Sequence, residues 1–463
     1  MKKIKLNIED LFEIPTARIF NPDNYRPVNR ITIDSRQVKK GSMYIAIKGK
    51  KFDGHSFVKS SVQDGAAAVL INRRRLREFD SINVPIITVD NTTKALGAVA
   101  NTWRKKLNAR VIGITGSTGK TSTKDMLATL LSEKYHVNKT IGNNNNHIGV
   151  PLTILSTNEK HDVLIVELGT NHFGEIEYTA NILEPDYSLI TNIGHSHTAY
   201  LKNKSGVFRE KSRLNDITRK NKGVVFINYD DPMLKGYSNN LDDFISFGFN
   251  DKVDVKGKIT SYTNDGKPVV RVKYKSKILE NSLPVYGEHN AFNYIAAVSI
   301  ALELGISREQ LQKSTSRLEP TDRRLNVYKK KNFILIDDTY NASPESMKAA
   351  IKLTNKINTY HRKVLVLGDM FELGKDKIKL HQSLATIIIN NRIDELYCIG
   401  NAMKSLTDRL KSKKITTRHF RTRKSFSDFL KNYNFKNKVI LTKGSRAMRM
   451  EEFTQIILSK ATS

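Results

Sequence analysis

The stretch Gly113-Ile-Thr-Gly-Ser-Thr-Gly-Lys-Thr-Ser122 constrains this chain more than any other. An apolar run at 111–114 enters a glycine-rich turn at 116–119, and Lys120 and Thr121 follow. Met126, Leu127, Leu130 and Leu131 then recur on one helical face. Strand, glycine loop, Lys-Thr and helix together make a phosphate cradle. Backbone N–H groups point inward, the helix N-terminus favours negative charge, the lysine neutralises phosphate and the hydroxyl can reach a dication. A tight turn would explain the glycines but not Lys-Thr in register. Gly116, Ser117, Thr118, Gly119, Lys120, Thr121 and Ser122 are therefore expected to hold ATP or GTP. The loop is shorter than the usual pattern. Ile114 stands where a glycine is expected and Gly113 is one residue out of register, leaving Gly-x-x-Gly-Lys-Thr.

A length of 463 residues suggests about three domains. With 39% hydrophobic residues the chain reads as globular. It has no apolar run of about 18 residues, so no membrane span is expected. The N-terminus, MKKIKLNIEDLFEI, lacks an uninterrupted apolar stretch and a small-residue cleavage site, and reads as the start of a domain. The single cysteine, Cys398, excludes an internal disulfide framework and suits a reducing cytoplasm. The net charge of +31 points towards anionic partners. Its lysines and arginines are spread along the whole length, however, without the aromatic interleaving of a single-strand binder. Solvated faces, and attraction of polyanionic small substrates, account for them better than a nucleic acid does.

Residues 31–107 read as an α/β unit, with strands at 31–33, 43–47, 67–71 and 86–89 and helices at 58–63 and 92–103. From 108 to 320, strands at 111–115, 163–167, 187–191 and 224–227 alternate with helices, which implies a mostly parallel sheet. Residues 254–283 alternate and are polar around Asn264-Asp-Gly266, a hairpin signal, and 290–304 is helical. Leu318-Glu-Pro-Thr-Asp322 reads as a linker. Strands at 333–337, 363–367, 395–399 and 439–442 then form a second open sheet. The expected fold class is α/β in three domains. These are a small α/β substrate domain at 1–107, a central P-loop parallel sheet at 108–320, and a Rossmann-like domain at 321–463.

Glu167 ends an apolar strand beside the phosphate loop, a place suited to Mg²⁺. Asn192-Ile-Gly-His-Ser-His197 ends another strand with two candidate ligands or bases. Lys211, in Phe208-Arg-Glu-Lys-Ser-Arg-Leu214, reads on its own as a helix-surface lysine. In Gly287-Glu-His-Asn-Ala-Phe-Asn293, Asn290 could cap the helix and bond a ligand. Ile336-Asp-Asp-Thr-Tyr-Asn341 would end the first strand of the last sheet, where an acid suits a ribose hydroxyl.

Together these pieces resemble the Mur ligases, ATP-dependent amide-forming enzymes of bacterial peptidoglycan synthesis. The resemblance rests on Gly-x-x-Gly-Lys-Thr, on Asn145-Asn146-His-Ile-Gly-Val-Pro151, and on Asp34-Ser-Arg36 with Gly49-Lys-Lys-Phe-Asp-Gly-His55. Asp337-Asp-Thr-Tyr-Asn-Ala-Ser-Pro344, Leu367-Gly-Asp-Met-Phe-Glu-Leu-Gly374 and Lys443-Gly-Ser-Arg446 are most similar to the D-Ala-D-Ala-adding members. The resemblance implies ligation of D-Ala-D-Ala to a UDP-N-acetylmuramoyl-tripeptide by a cytoplasmic monomer. Lys120 and Thr121 would hold ATP phosphates and a Mg²⁺, and Glu167 would bind that Mg²⁺. His197 and a carbamylated Lys211 would hold a second Mg²⁺, which reverses the surface reading of Lys211. Asn290 and Asn293 would meet the adenine, and Arg324 and Asp338 the phosphates and ribose. Ser35, Arg36, Gly49, Phe52, Asn145, Asn146, Tyr340, Asn341, Lys443, Ser445 and Arg446 would meet the substrates. The chain departs from the family pattern at His147, where an acid is usual, after Lys211 (Ser-Arg-Leu), and after His197 (Thr-Ala-Tyr-Leu-Lys-Asn). Two alternatives are a sibling ligase with another amine or glycan precursor, such as a pseudomurein-type enzyme, and a nucleic-acid-associated P-loop ATPase.

Overall fold

The structure, a computed structural model, describes residues 4–460, so residues 1–3 of the basic N-terminal stretch and 461–463 lie outside the described residues. Three sheets follow one another along the chain. In spatial order the first is Arg18–Phe20, Ile86–Val89, Ala66–Asn72, Ser42–Ile45 and Arg30–Thr32, parallel except for its first strand. The second has nine strands: Lys277–Ser282, Pro268–Tyr274, Val255–Tyr262, Ile245–Gly248, Val224–Asn228, Tyr187–Ile190, Arg110–Thr115, Val163–Glu167 and Val137–Lys139. Its last seven strands run parallel and its first two are an antiparallel extension. The third is Asn326–Lys329, Phe333–Asp338, Lys438–Lys443, Arg362–Gly368, Glu395–Ile399 and Thr416–Phe420, antiparallel only at its first strand.

The expected α/β class and the polar β excursion are both present. The excursion turns where Asn264-Asp-Gly266 places it: Gly266 has φ +88°, and Thr263 N–H donates to the Lys267 carbonyl at 2.8 Å. Five strands have no counterpart in the sequence reading: Arg18–Phe20, Val137–Lys139, Ile245–Gly248, Asn326–Lys329 and Thr416–Phe420. Each has only three to five residues, too few for a period-2 pattern, and all but Ile245–Gly248 lie at sheet edges where one partner suffices. As a result Asp337 and Asp338 end the second strand of the last sheet, not the first. The long helix begins at Glu288, with Gly287 (φ +92°) as its N-cap. Asn290 is therefore not the cap. Its side chain donates instead to the Tyr286 carbonyl at 2.9 Å.

One apolar core runs from the first sheet into the second. Ile31, Met43 and Leu70 pack through Leu96, Val99 and Trp103 of the helix Thr92–Lys106 onto Val150, Ile154 and Leu164. The Trp103 indole N–H donates to the Thr157 carbonyl at 2.8 Å and Arg104 Nε to the Leu183 carbonyl at 3.0 Å. The third sheet has cores of its own, among them Ile336, Met347, Leu365 and Leu441. No helix among the described residues is long and apolar enough to cross a membrane.

Candidate active site

The strand Arg110–Thr115 delivers the phosphate loop to the middle of the nine-stranded sheet. Gly113 belongs to the strand: a Cβ there would lie 2.9 Å from Leu214 Cδ1. That packing need explains a glycine one residue out of register. Gly116 (φ +149°) leaves room for Thr191, whose hydroxyl would lie 1.9 Å from an added Cβ, and Gly119 (φ +82°) faces Asn293. Gly119 is also the N-cap of Lys120–Leu131. Asn192 pins the loop, because its Oδ1 accepts from Thr118 N–H at 3.1 Å and its carbonyl from Ser117 N–H at 3.0 Å. Ser117 Oγ also donates to the Gly194 carbonyl at 3.2 Å. Ser122 is buried on the helix behind the loop. The Lys120 ammonium folds onto the Gly116 carbonyl at 2.8 Å, and burial holds its pKa below the usual lysine range.

Thr121 Oγ1 donates to Glu167 Oε2 at 2.8 Å, and Asn145 Nδ2 to Glu167 Oε1, also at 2.8 Å. Arg324, from the segment before the third sheet, donates to the same Thr121 hydroxyl at 3.1 Å. The phosphate loop, the end of the strand Val163–Glu167 and the C-terminal part of the chain thus meet at one hydroxyl–carboxylate pair. Thr121 and Glu167 are both buried. Hydroxyl and carboxylate oxygens are the hard donors that Mg²⁺ takes.

Lys211 lies on the buried face of the helix Lys204–Lys220. This corrects the surface reading its sequence context suggested by itself. Its Nζ has no hydrogen-bond partner. Burial first, and the Lys120 charge second, push its pKa well below the lysine range. The preceding Glu210 accepts from Gly174 and Ile176 N–H, each at 2.8 Å, and so braces the start of the helix Glu175–Leu183. His197 sits at φ +54° before the short helix Thr198–Leu201. Its Nδ1 is 2.6 Å from Glu372 Oε2, a close ionic contact without hydrogen-bond alignment, and it holds the Glu372 carboxyl below its usual range. Among the described residues no three His, Cys, Asp or Glu side chains converge as a ready metal site. A dication could draw on Thr121 and Glu167, and a carboxylate made on Lys211 would lie within electrostatic range of Glu167.

Asn293 lies against Gly119 of the phosphate loop, and its Nδ2 donates to Asn290 Oδ1 at 3.3 Å. Opposite them, Asp338 pairs with Lys443 at 2.6 Å and accepts from Leu325 N–H at 3.3 Å. The Arg324 guanidinium stands 4.2 Å over the Tyr340 ring. Burial pushes the pKa of His289 down to about 4. A cavity of about 320 Å³ opens here, walled by Gly287 and His289 on one side and Glu345, Ala349 and Leu353 on the other.

The remaining candidates have local partners. Asn146 Oδ1 accepts from Ile148 and Gly149 N–H and starts the helix Gly149–Ser156. Asn341 Oδ1 accepts from Arg446 N–H at 3.3 Å, and its carbonyl from Lys443 Nζ at 2.8 Å. Ser445 Oγ accepts from Phe371 N–H at 2.8 Å, and Arg446 pairs with Glu451. Ser35 and Arg36 lie in the 3₁₀ turn Ser35–Gln37, and Gly49 and Phe52 in a loop of the first sheet. Arg36 is bonded to Asp34 through two nitrogens, and Gly49 N–H donates to the Phe52 carbonyl at 2.8 Å. The Phe52 side chain is 73% exposed. Sequence reasoning named Asn192 and Glu372 only as members of longer motifs and did not reach Glu345. Their partners are remote in sequence, and only the folded chain brings them to the site.

Three family models match in succession: the Mur ligase family catalytic domain at 27–104, the Mur ligase middle domain at 114–301, and the Mur ligase glutamate ligase domain at 323–446. The chain is 34% identical over 467 residues to the UDP-N-acetylmuramoyl-tripeptide–D-alanyl-D-alanine ligase of Bacillus subtilis, covering 99% of this chain and 100% of the relative. The chain belongs to the Mur ligase family. Among solved structures, this Mur ligase is similar to MurF from Acinetobacter baumannii, with TM-score 0.88 and 29% identity over 99% of this chain and 100% of that one. It is also similar to the MurF ligase of Thermotoga maritima in complex with ADP, with TM-score 0.81 and 26% identity over 94% and 98%.

Proposed function

We infer that this Mur ligase uses ATP to join D-alanyl-D-alanine to the terminal carboxylate of UDP-N-acetylmuramoyl-tripeptide in peptidoglycan precursor synthesis. The observation that carries the reading is the end-to-end match to ligases of that activity. The phosphate loop, Glu167 and Arg324 assembled at Thr121 support it. ATP's γ-phosphoryl group passes to the peptide carboxylate. The amine of the dipeptide then attacks the acyl phosphate and phosphate leaves.

The loop N–H groups and Lys120 bind and orient the phosphates. Arg324 adds a second cation as the C-terminal part closes over them. Asn290, Asn293, Asp338 and the adjoining cavity hold the nucleoside. Thr121 with Glu167, and His197 with Lys211, fit two Mg²⁺ ions. Bound Mg²⁺ would neutralise phosphate charge and polarise the transferring group. Lys211 fits its part because a desolvated, uncharged amine can add to CO₂, lose one proton and become a carbamate. Ser35, Arg36, Gly49 and Phe52 take the UDP-sugar end, and Asn145, Asn146, Tyr340, Asn341, Lys443, Ser445 and Arg446 the peptides. The domain boundaries fall at 107/108 and 320/321, and the enzyme works as a cytoplasmic monomer.

Purified protein should release phosphate from ATP only when both the UDP-sugar tripeptide and an amine are present, and D-Ala-D-Ala should lead a panel of amines. ATP turnover indifferent to the UDP-sugar peptide would sink the reading. Turnover stimulated by DNA or RNA would favour the ATPase instead. Lys211→Ala should lose about a hundredfold or more in kcat, the scale of losing a preorganised charge. A short added carboxylate should restore part of it. Full activity in that variant would remove the carbamate role.

A further inference from the structure

The third sheet sends one loop, Asp369 to Gly374, across to the short helix that follows His197. Glu372 at its tip makes three contacts there. Its carboxylate Oε2 lies 2.6 Å from His197 Nδ1, and its carbonyl accepts from Ala199 N–H at 3.1 Å and Thr198 Oγ1 at 3.4 Å. Gly374 follows at φ +58°, and a Cβ there would lie 3.2 Å from the Thr198 carbonyl, so the approach is close along the loop's length. His197 and Glu372 both have left-handed backbones, φ +54° and +63°. A non-glycine residue holds that conformation only where its surroundings impose it, and such residues gather at functional sites.

The loop is braced from behind. Phe371 N–H donates to Ser445 Oγ at 2.8 Å, and Met370 N–H to Nε2 of the fully buried His381 at 2.9 Å. His381 Nδ1 faces the Lys377 carbonyl at 2.7 Å, which makes Nδ1 the donor and Nε2 the acceptor. The Asp369 carboxylate accepts from Ala402 and Met403 N–H at 3.1 and 2.8 Å. Glu372 is therefore carried on a rigid finger, although its own side chain is 46% exposed.

We propose that Glu372 is a positioning residue that orients His197 from across the interface. Closure of the C-terminal sheet and binding of a divalent cation at His197 are then one linked equilibrium. A carboxylate 2.6 Å from Nδ1 leaves no room for facing lone pairs, and a small turn of either side chain lets Nδ1–H donate to it; that tautomer leaves the lone pair on Nε2, the arrangement a metal-ligating imidazole needs. Here the orienting carboxylate comes from a different sheet, so opening the interface takes it away. By reciprocity, whatever tightens the cation favours closure to the same degree. This rests on reading His197 as a ligand.

The test uses the full chain with Mn²⁺ as the probe and a non-hydrolysable ATP analogue. Mn²⁺ binding is read by electron paramagnetic resonance and closure by small-angle scattering. Glu372→Ala should weaken one of two Mn²⁺ sites about tenfold and raise the Mn²⁺ concentration at which the particle compacts by a similar factor. Glu372→Gln, whose amide oxygen can still accept from Nδ1–H, should recover part of both. His197→Ala should lose the same site, and adding Glu372→Ala to it should cost nothing more. If Glu372→Ala binds Mn²⁺ and compacts like the parent while His197→Ala loses the site, the proposal is overturned and the ligand reading stands. If His197→Ala also keeps both sites, the ligand reading itself fails.

Discussion

The nine-stranded sheet meets its two neighbours by different means. Towards the N-terminal sheet, Leu96, Val99 and Trp103 are shared in a single apolar core with Met43 and Leu70 on one side and Val150 and Leu164 on the other. Towards the C-terminal sheet the contacts are polar: Arg324 to Thr121, His195 to Glu345 at 2.9 Å, His197 to Glu372, Lys329 to Asp265 at 3.3 Å and Lys356 to Glu288 at 2.5 Å. Among the described apolar residues before the linker, Tyr286 alone joins the C-terminal core. Apolar burial contributes about 25 cal/mol per Å², so an interface made of it does not open at each turnover. Exposed ion pairs are worth about 0–1 kcal/mol apiece, so the second interface can open and close near balance. Acyl-phosphate chemistry needs that asymmetry. The site must be dry while the phosphate is in transit and open for exchange of substrates.

Trp103→Ala tests the first interface and should show the largest effect. Removing a fully buried indole costs about 3–5 kcal/mol. The N-terminal and nine-stranded sheets should still melt together in one earlier transition, followed by urea denaturation with site-specific fluorophores in each. Independent melting of the N-terminal sheet would break the contrast.

An intermediate effect is expected at His289, which lies at the polar interface near Asp338 and Lys443. Its pKa is pushed from 6.5 to about 4 by burial. The closed form stays unprotonated where an opened or unfolded chain takes up a proton, so closure and stability fall as pH drops from about 6.5 to about 4. His289→Asn should flatten that slope in scattering and melting profiles, and an unchanged slope would exclude His289 as its source.

The smallest effect belongs to Glu288→Gln. It should cost under about 1 kcal/mol of stability yet shift the salt dependence of closure, because Lys356 loses its charged partner and keeps only neutral ones such as Tyr262. A melting-temperature loss as large as that of Trp103→Ala would mean the second interface is no looser than the first.

Much of the candidate site was legible along the chain because a strand, a glycine loop and a helix start are set by near neighbours. Loop, lysine, hydroxyl and following helix lie within ten residues, and Glu167 ends a strand whose apolar run is plain. The hairpin at Asn264-Asp-Gly266 was legible for the same reason, since turn chemistry is set by neighbours. Lys211 shows where such reading stops. Its helix carries Arg209, Arg213 and Arg219 as a solvated surface helix would, and only packing against the sheet buries the lysine without a partner. Four of the five unforeseen strands are edge strands, ordered by a partner and not by their own pattern. Gly113 reads in sequence as a displaced loop glycine, and the packing of Leu214 against it is what requires a glycine there.

Sequence by itself determined the α/β class, the nucleotide cradle and the family, because those depend on short-range geometry and on motifs in order. Tertiary structure alone decided that the first two sheets share a core, that Asn290 turns from capping to bonding Tyr286, and that Glu372 reaches His197. Each of these depends on side chains far apart in the chain meeting where water is excluded or a backbone is held, and no local pattern encodes such a meeting.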